Sequence, residues 1–332
     1  MSHRLIGITR PEVAASFEAS GSVVGTIRLS FVTSLGLAAV LAPMPKPGFF
    51  LFQRQRALRE LVELQRILEA LAAAGPLLAA RPSTRVEDEA EALELISGNA
   101  AQLRAALQDY GSARQFQVTV RWDAIAMVAA IKDRADVVAA LARAALQGRM
   151  VAGKMLQDIM ITEREKLARE IRARLSLVAR EMVAMPQDGD ACVANLVVLI
   201  AADAEAGLDA ALAELDRLLP GDSRIRCVGP LPALSFAAVS LERIDPDRID
   251  AAQRLLRVGH RLTSESVRTA WRAYARTHHP DAGCSADSGD FADAATAHRL
   301  LRRFVEETER EGYAPALFVD ITGQTDAGRR AA

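Results

Sequence analysis

The chain has 332 residues, a formal net charge of −1, and a composition that is 50% apolar but only 5% aromatic. Such a length suits two domains, or one with an appendage, and the apolar fraction is ample for a buried core. The near-neutral charge excludes the basic footprint expected where the main partner is nucleic acid or an anionic membrane surface.

Arg4–Ile8 reads as a short first strand, and residues 11–22 as irregular chain with room for a short helix. Val23–Val32 alternates in part, as a strand does, while Leu35–Leu41 is apolar and of ambiguous type. The longest uncharged segment lies between Arg28 and Lys46. It contains Ser30, Thr33, Ser34, Gly36 and Pro43, which makes it a poor membrane span. No positive n-region precedes an apolar h-region, so no signal peptide is expected. Pro43, Pro45, Pro47 and Gly48 mark a loop. Gln53–Ala73 predicts a helix striped with Leu61, Leu64, Leu68 and Leu71, ended by Gly75 and Pro76. Leu77–Thr84 reads as a loop to a second helix, Glu87–Gln108, with Leu93, Ile96, Leu103 and Leu107 inward. Gln115–Trp122 alternates and points Phe116, Val118, Val120 and Trp122 to a core. A first α+β domain, 1–123, is expected to close there.

Ala124–Val183 reads as mostly helical, with Gly148 and Gly153 marking a break. Leu167, Ile171, Leu175, Val178 and Met182 keep one side apolar; Glu165/Arg169 and Glu170/Arg174 lie on the other. The stripe suits either packing on the protein's own core or a seam for self-association or a partner. Residues 186–190 form a polar link, so 124–190 is a helical linker region and 191–246 a second domain. Asn195–Ile200 is a buried-strand pattern, and Leu208, Leu212, Leu215 and Leu219 recur at helical spacing before Pro220-Gly221-Asp222. Ser223–Val228 and Leu234–Leu241 read as two more strands. A β-α-β-β unit with its three strands in one sheet is predicted, about half of a ferredoxin-like sandwich.

Between the last two strands stands Gly229-Pro230-Leu231-Pro232-Ala233-Leu234-Ser235-Phe236. Placed after a β-α-β unit, it resembles the Gly-Pro-x-Pro-Pro-Tyr-Ser-Phe signature of the gas vesicle protein F/L family. Gly229, Pro230, Pro232, Ser235 and Phe236 match, while Ala233 and Leu234 depart from Pro and Tyr. The loop Leu77–Thr84 corresponds to the family's Val-Leu-Pro-Val-Arg-Phe-Gly-Thr, of which Arg81 and Thr84 are kept. Asp123 fits the Asp that ends a family strand. The resemblance implies an accessory protein needed to assemble a gas-filled shell, in contact with the hydrophobic shell subunit and other accessory proteins.

After Asp245-Pro246 the pattern turns helical. Ile249, Leu255 and Leu256 suggest a short helix. A second opens at Thr263, which can cap it; Glu265 suits its positive end and Leu262 can staple onto Val267. Along it Val267, Ala270, Trp271 and Tyr274 face a core, and Arg268, Arg272 and Arg276 recur on an adjoining face. His279-Pro280-Asp281 ends it, and Phe291, Ala294, Ala297, Leu301 and Phe304 stripe a last helix. Residues 247–308 resemble a J-domain, with His298 in place of the usual Tyr, followed by a tail, 309–332. The resemblance implies that His279, Pro280, Asp281 and the three arginines meet a heat-shock ATPase chaperone.

Other chemistry is sparse. His260, His278, His279, His298 and Cys284 lack the spacing of a four-ligand metal site, and no phosphate loop or nucleophile motif is present. Cys192, Cys227 and Cys284 read as free thiols in a reducing compartment. The expected fold is α+β: two ferredoxin-like or α+β units joined by helices, then a small all-α module. The expected function is an accessory protein of gas vesicle assembly, not an enzyme, located in the cytoplasm and on the gas vesicle, with no cofactor, metal, nucleic-acid or membrane partner. Its J-like end would recruit the heat-shock chaperone. A general J-domain co-chaperone, or a small-molecule enzyme on a ferredoxin-like scaffold, are the alternatives.

Overall fold

The computed structural model describes residues 2–44, 53–259, 261–278, 288–311 and 317–323. They form two units: Met1–Val239 with Ile321–Ala332, and Ser240–Asp320.

The first unit begins with β1 (His3–Thr9) and α1 (Pro11–Ala19), which carries Pro11 and Glu12 in its first turn, where a missing N–H and a negative charge both suit a helix. The hairpin β2 (Val23–Val24) and β3 (Ile27–Arg28) follows, then β4 (Ser30–Ser34) and β5 (Leu37–Pro43). Next come α2 (Gln53–Ala74), β6 (Leu77–Ala79), β7 (Arg85–Val86), α3 (Glu89–Gly98) and α4 (Ala100–Tyr110). The antiparallel order is β4-β5-β1-β6, with β7 also pairing β1. Leu64, Ile67, Leu68 and Leu71 of α2 share a core with Ile6, Val40 and Ala42; α3 packs on β4 and β5, and α4 on β1 and β6. β5 is therefore buried along its whole apolar run, which is why Leu37–Leu41 shows no alternation.

Four expectations change here. Val23–Val32 is not one strand but the β2-β3 hairpin followed by β4. Leu77–Thr84 is not only a loop, because its first three residues pair with β1. The second helix is two, divided at Asn99, with Leu93 exposed. Leu61 is exposed as well, so the α2 stripe begins at Leu64.

The second sheet is built from β8 (Arg114–Arg121), β9 (Glu181–Ala184), β10 (Cys192–Ile200) and β11 (Arg224–Leu231) in antiparallel order β11-β8-β10-β9. Between β8 and β9 run α5 (Ala124–Ile131), α6 (Ala135–Ala145) and α7 (Arg149–Leu175); α8 (Glu205–Leu218) joins β10 to β11. Ile171 and Leu175 of α7, with Leu208 and Leu215 of α8, cover the Phe116–Val118–Val120 face. The apolar stripe from Leu167 onward is thus an internal core and not a self-association seam. Gly148, at φ 123°, separates α6 from α7, whereas Gly153 lies inside α7. The helical stretch stops at Leu175, and Glu181–Ala184 forms an edge strand.

The expected β-α-β-β sheet is corrected by the pairing. β8, expected to close an N-terminal domain at Asp123, sits between β10 and β11, which do not pair with each other. The third expected strand, Leu234–Leu241, begins only at Ala238; this β12 (Ala238–Arg243) leaves the sheet and pairs with a strand the sequence did not reveal. The class is nonetheless α+β.

The second unit contains α9 (Pro246–Leu256), α10 (Ser264–His278), α11 (Ser288–Glu311) and the start of β13 (Leu317–Thr322), the partner of β12. The expected tail from residue 309 therefore includes both the end of α11 and a strand. Ile249, Ala252, Leu256, Val267, Ala294, Ala297, Leu301 and Val305 form the helical core. Asp245 caps α9, and Thr263 exchanges hydrogen bonds with Ser266 at the start of α10.

Candidate functional site

The two stretches that resemble a family signature converge in the first unit. After β6, Ala80 bridges in parallel to Val239, and the Arg81 N–H donates to the Val239 carbonyl at 2.8 Å. The Thr84 hydroxyl, 5% exposed, donates to the same carbonyl at 3.2 Å. Arg81 Nη2 donates to Thr322 Oγ1 at 3.1 Å. The signature around Gly229 lies just upstream of Val239. Its Gly229-Pro230 peptide is cis, and no side chain fits at Gly229. A Cβ there would stand 2.6 Å from the Phe116 ring and 2.7 Å from the Gln115 carbonyl oxygen.

Pro232, Ser235 and Phe236 are buried. The Ser235 N–H donates to Gln115 Oε1 at 2.8 Å, and Phe236 packs with Ala113, Val183, Val197 and Leu199. Ala233, where the signature has Pro, is in that same cluster; Leu234, where it has Tyr, packs against the core of the first sheet. The signature residues therefore tie the two sheets together, and they act through backbone fit and hydrogen bonds inside the fold. Sequence reading missed Gln115, whose buried carboxamide receives the Ser235 N–H, and Thr322. A glutamine on the alternating strand Gln115–Trp122 was the only signal for the first.

The open surface lies elsewhere. Asp123 accepts from the Ile125 and Ala126 N–H groups and caps α5. The Ala126 bond leads in holding its carboxylate below the ordinary range, with the Asp222 and Ile125 N–H groups adding to it. Beyond this cap, α5 and α7 leave a cavity of about 610 Å³ lined by Trp122, Val128, Gly153, Leu156, Met160 and Ile161. Arg164 and Asp190, paired at 3.7 Å, also line it. On the other side of α7, Arg134 bonds Asp136 at 2.6 Å and Glu163 at 3.0 Å, and Lys166 bonds Glu163 at 2.9 Å. The Lys166 and Arg134 bonds lower the Glu163 pKa and fasten α6 to α7.

In the second unit Arg268, Arg272 and Arg276 are exposed along α10, with no ion pair among the described residues. His279, Pro280 and Asp281 lie outside the described residues. Trp271 is half-buried, its ring stacked on His298 at 4.7 Å, and Tyr274 stacks on His278 at 4.1 Å. Burial, then the charges of Arg302 and Arg299, depress the His298 pKa. Among the described residues no cluster of His, Cys, Asp and Glu is arranged to hold a metal ion. No described helix is long and apolar enough to cross a membrane.

The profile of the gas vesicle synthesis protein GvpL/GvpF family matches residues 5–238, a span that contains both signature stretches. The chain belongs to this family. Two solved structures share its fold. The gas vesicle protein GvpF from Anabaena sp. PCC7120 aligns with a TM-score of 0.55 at 18% identity, over 70% of this chain and 96% of that one. GvpF from Microcystis aeruginosa aligns with a TM-score of 0.52 at 16% identity, over 70% and 97%. A search of curated proteins finds no match. As a member of the gas vesicle synthesis family, the chain has its role in gas vesicle assembly.

Proposed function

We propose that the chain is an escort for the hydrophobic shell subunit during gas vesicle assembly, working in the cytoplasm and at the growing vesicle. The observation that carries this reading is the apolar cavity between α5 and α7, on a helical section unusually rich in exposed apolar side chains. Ile125 is 83% exposed, Leu146 88% and Met150 90%. A surface of this kind suits a partner with an apolar face, which would otherwise aggregate before polymerising. The decisive variant is Gly153→Leu. A Cβ at Gly153 meets no atom within 4 Å, so a larger side chain enters the cavity without displacing the fold. Light scattering by freshly diluted shell subunit is the measurement. The wild-type chain should suppress aggregation and Gly153→Leu should not, at equal or higher thermal stability. Full suppression by the variant overturns the reading.

The second part of the proposal concerns residues 247–308, a J-like module that recruits the ATP-driven heat-shock chaperone to the same client. The exposed arginines of α10 support it, since a basic helix attracts an acidic chaperone surface. His279 and Asp281 would act on the chaperone's ATP cycle. Turnover by the cognate chaperone should rise with wild-type protein and not with His279→Gln. Equal turnover with both removes the co-chaperone role and leaves the escort role standing.

A further inference from the structure

β11 ends the second sheet, and among the described residues no strand pairs with its outer edge. In an antiparallel sheet every other N–H and C=O of such a strand points away from its neighbour, so an unpaired edge is a template for another strand. The face of this edge is also charged. Arg224 stands directly opposite Arg121 of β8, and Arg226 is on the same side of the sheet. That side is opposite to Ile225 and Val120, which face the α7–α8 core. Like charges directly opposite on neighbouring strands are unfavourable. Asp188 approaches Arg121 only at 4.0 Å, and Arg224 and Arg226 form no ion pair among the described residues. Three guanidinium groups thus share one open strip on a chain whose net charge is −1.

At its far end the edge runs into a cleft of about 400 Å³ lined by Gln65, Glu69 and Ala72 of α2, Arg114, Val228 and Leu231. The cleft marks where an added strand would stop. The cleft carries both signs of charge, Glu69 and Glu205 beside Arg114, so the preference for a carboxylate lies at the Arg224 end.

We infer that the outer edge of β11 binds an extended acidic segment of a partner protein as an added strand, its alternate carboxylates facing Arg224 and Arg226, with Arg121 behind Arg224 on β8. Main-chain hydrogen bonds supply affinity and the arginines supply selectivity and register. A second copy of this chain is a poor occupant, because two β11 edges would bring arginines together. This surface is separate from the cavity between α5 and α7, and its test does not depend on shell-subunit binding.

The probe is a labelled peptide of alternating Val and Glu, compared with its Val-Lys counterpart, on the full chain. Binding is followed by fluorescence anisotropy and by hydrogen exchange at Arg224–Val228. The Val-Glu peptide should bind and protect these amides, and Val-Lys should not. Combined Arg224→Glu and Arg226→Glu, both at exposed positions, should weaken Val-Glu binding at least about tenfold and admit Val-Lys, with an unchanged circular dichroism spectrum. Equal Val-Glu binding by wild type and variant overturns the inference, as does binding without protection of β11. Concentration-dependent dimerisation that protects β11 without peptide overturns it in favour of a second copy.

Discussion

Replacing Gly229 by Ala should destabilise the first unit severely although it adds a single methyl group. That methyl would fall 2.6 Å from Phe116 Cδ1 and 2.7 Å from the Gln115 carbonyl oxygen, well inside normal contact distance. Neither neighbour can yield easily. Phe116 is 8% exposed within the core of the second sheet, and the carbonyl belongs to the β8 backbone. Overpacking of this kind costs about 1–3 kcal/mol, and a backbone at φ 156° adds about 1 kcal/mol once a side chain is present. A total of about 2–4 kcal/mol lowers the melting temperature of a unit this size by roughly 5–15 °C. Thermal unfolding should be followed by Trp122 fluorescence in a Trp271→Phe background, since the chain has 2 tryptophans. Gly153→Ala is the control. Its methyl meets nothing within 4 Å, and removing a glycine from a helix interior should stabilise by about 0.5–1 kcal/mol. If Gly229→Ala melts within about 1 °C of its parent, the close-approach argument is wrong.

Thr84→Val should cost only about 1 kcal/mol in urea unfolding, because the Val239 carbonyl keeps the Arg81 N–H when the hydroxyl is lost. Glu163→Gln should loosen α6 from α7 by about 0.5–1 kcal/mol, less at high salt, read as faster amide exchange in α6. The His298 pKa is lowered in the folded chain, so its contribution is intact above the ordinary histidine range and is lost as pH falls from there through the folded value. Trp271 fluorescence should therefore report a urea midpoint for the second unit that drops as pH falls below the ordinary histidine range, and His298→Phe should flatten that drop.

Much of the local structure was legible in advance. The alternation of Gln115–Trp122 identified a strand and its inward face, and Leu64, Leu68 and Leu71 identified the buried side of α2. Caps such as Thr263 were readable because a cap is a contact between near neighbours in the chain. The signature residues identified the family, and Arg81, Thr84, Ser235 and Phe236 find partners within the first unit. Arg81 and Thr84 meet Val239, and Ser235 meets Gln115, across separations that no periodicity encodes.

The sequence alone determined the α+β class and most helices and strands, because periodicity, caps and breakers act over a few residues, and its two signature stretches carried the resemblance to the family. Only the tertiary structure decided which strands pair. β8 lies between β10 and β11, and β12 leaves for β13, pairings between stretches too far apart in the chain for any local pattern to encode. The same holds for the surfaces. Ile171 and Leu175 of α7 are apolar and buried in the second sheet's core, while Ile125 and Met150 are apolar and exposed. Their residue types are alike, and the difference is whether another element packs over them.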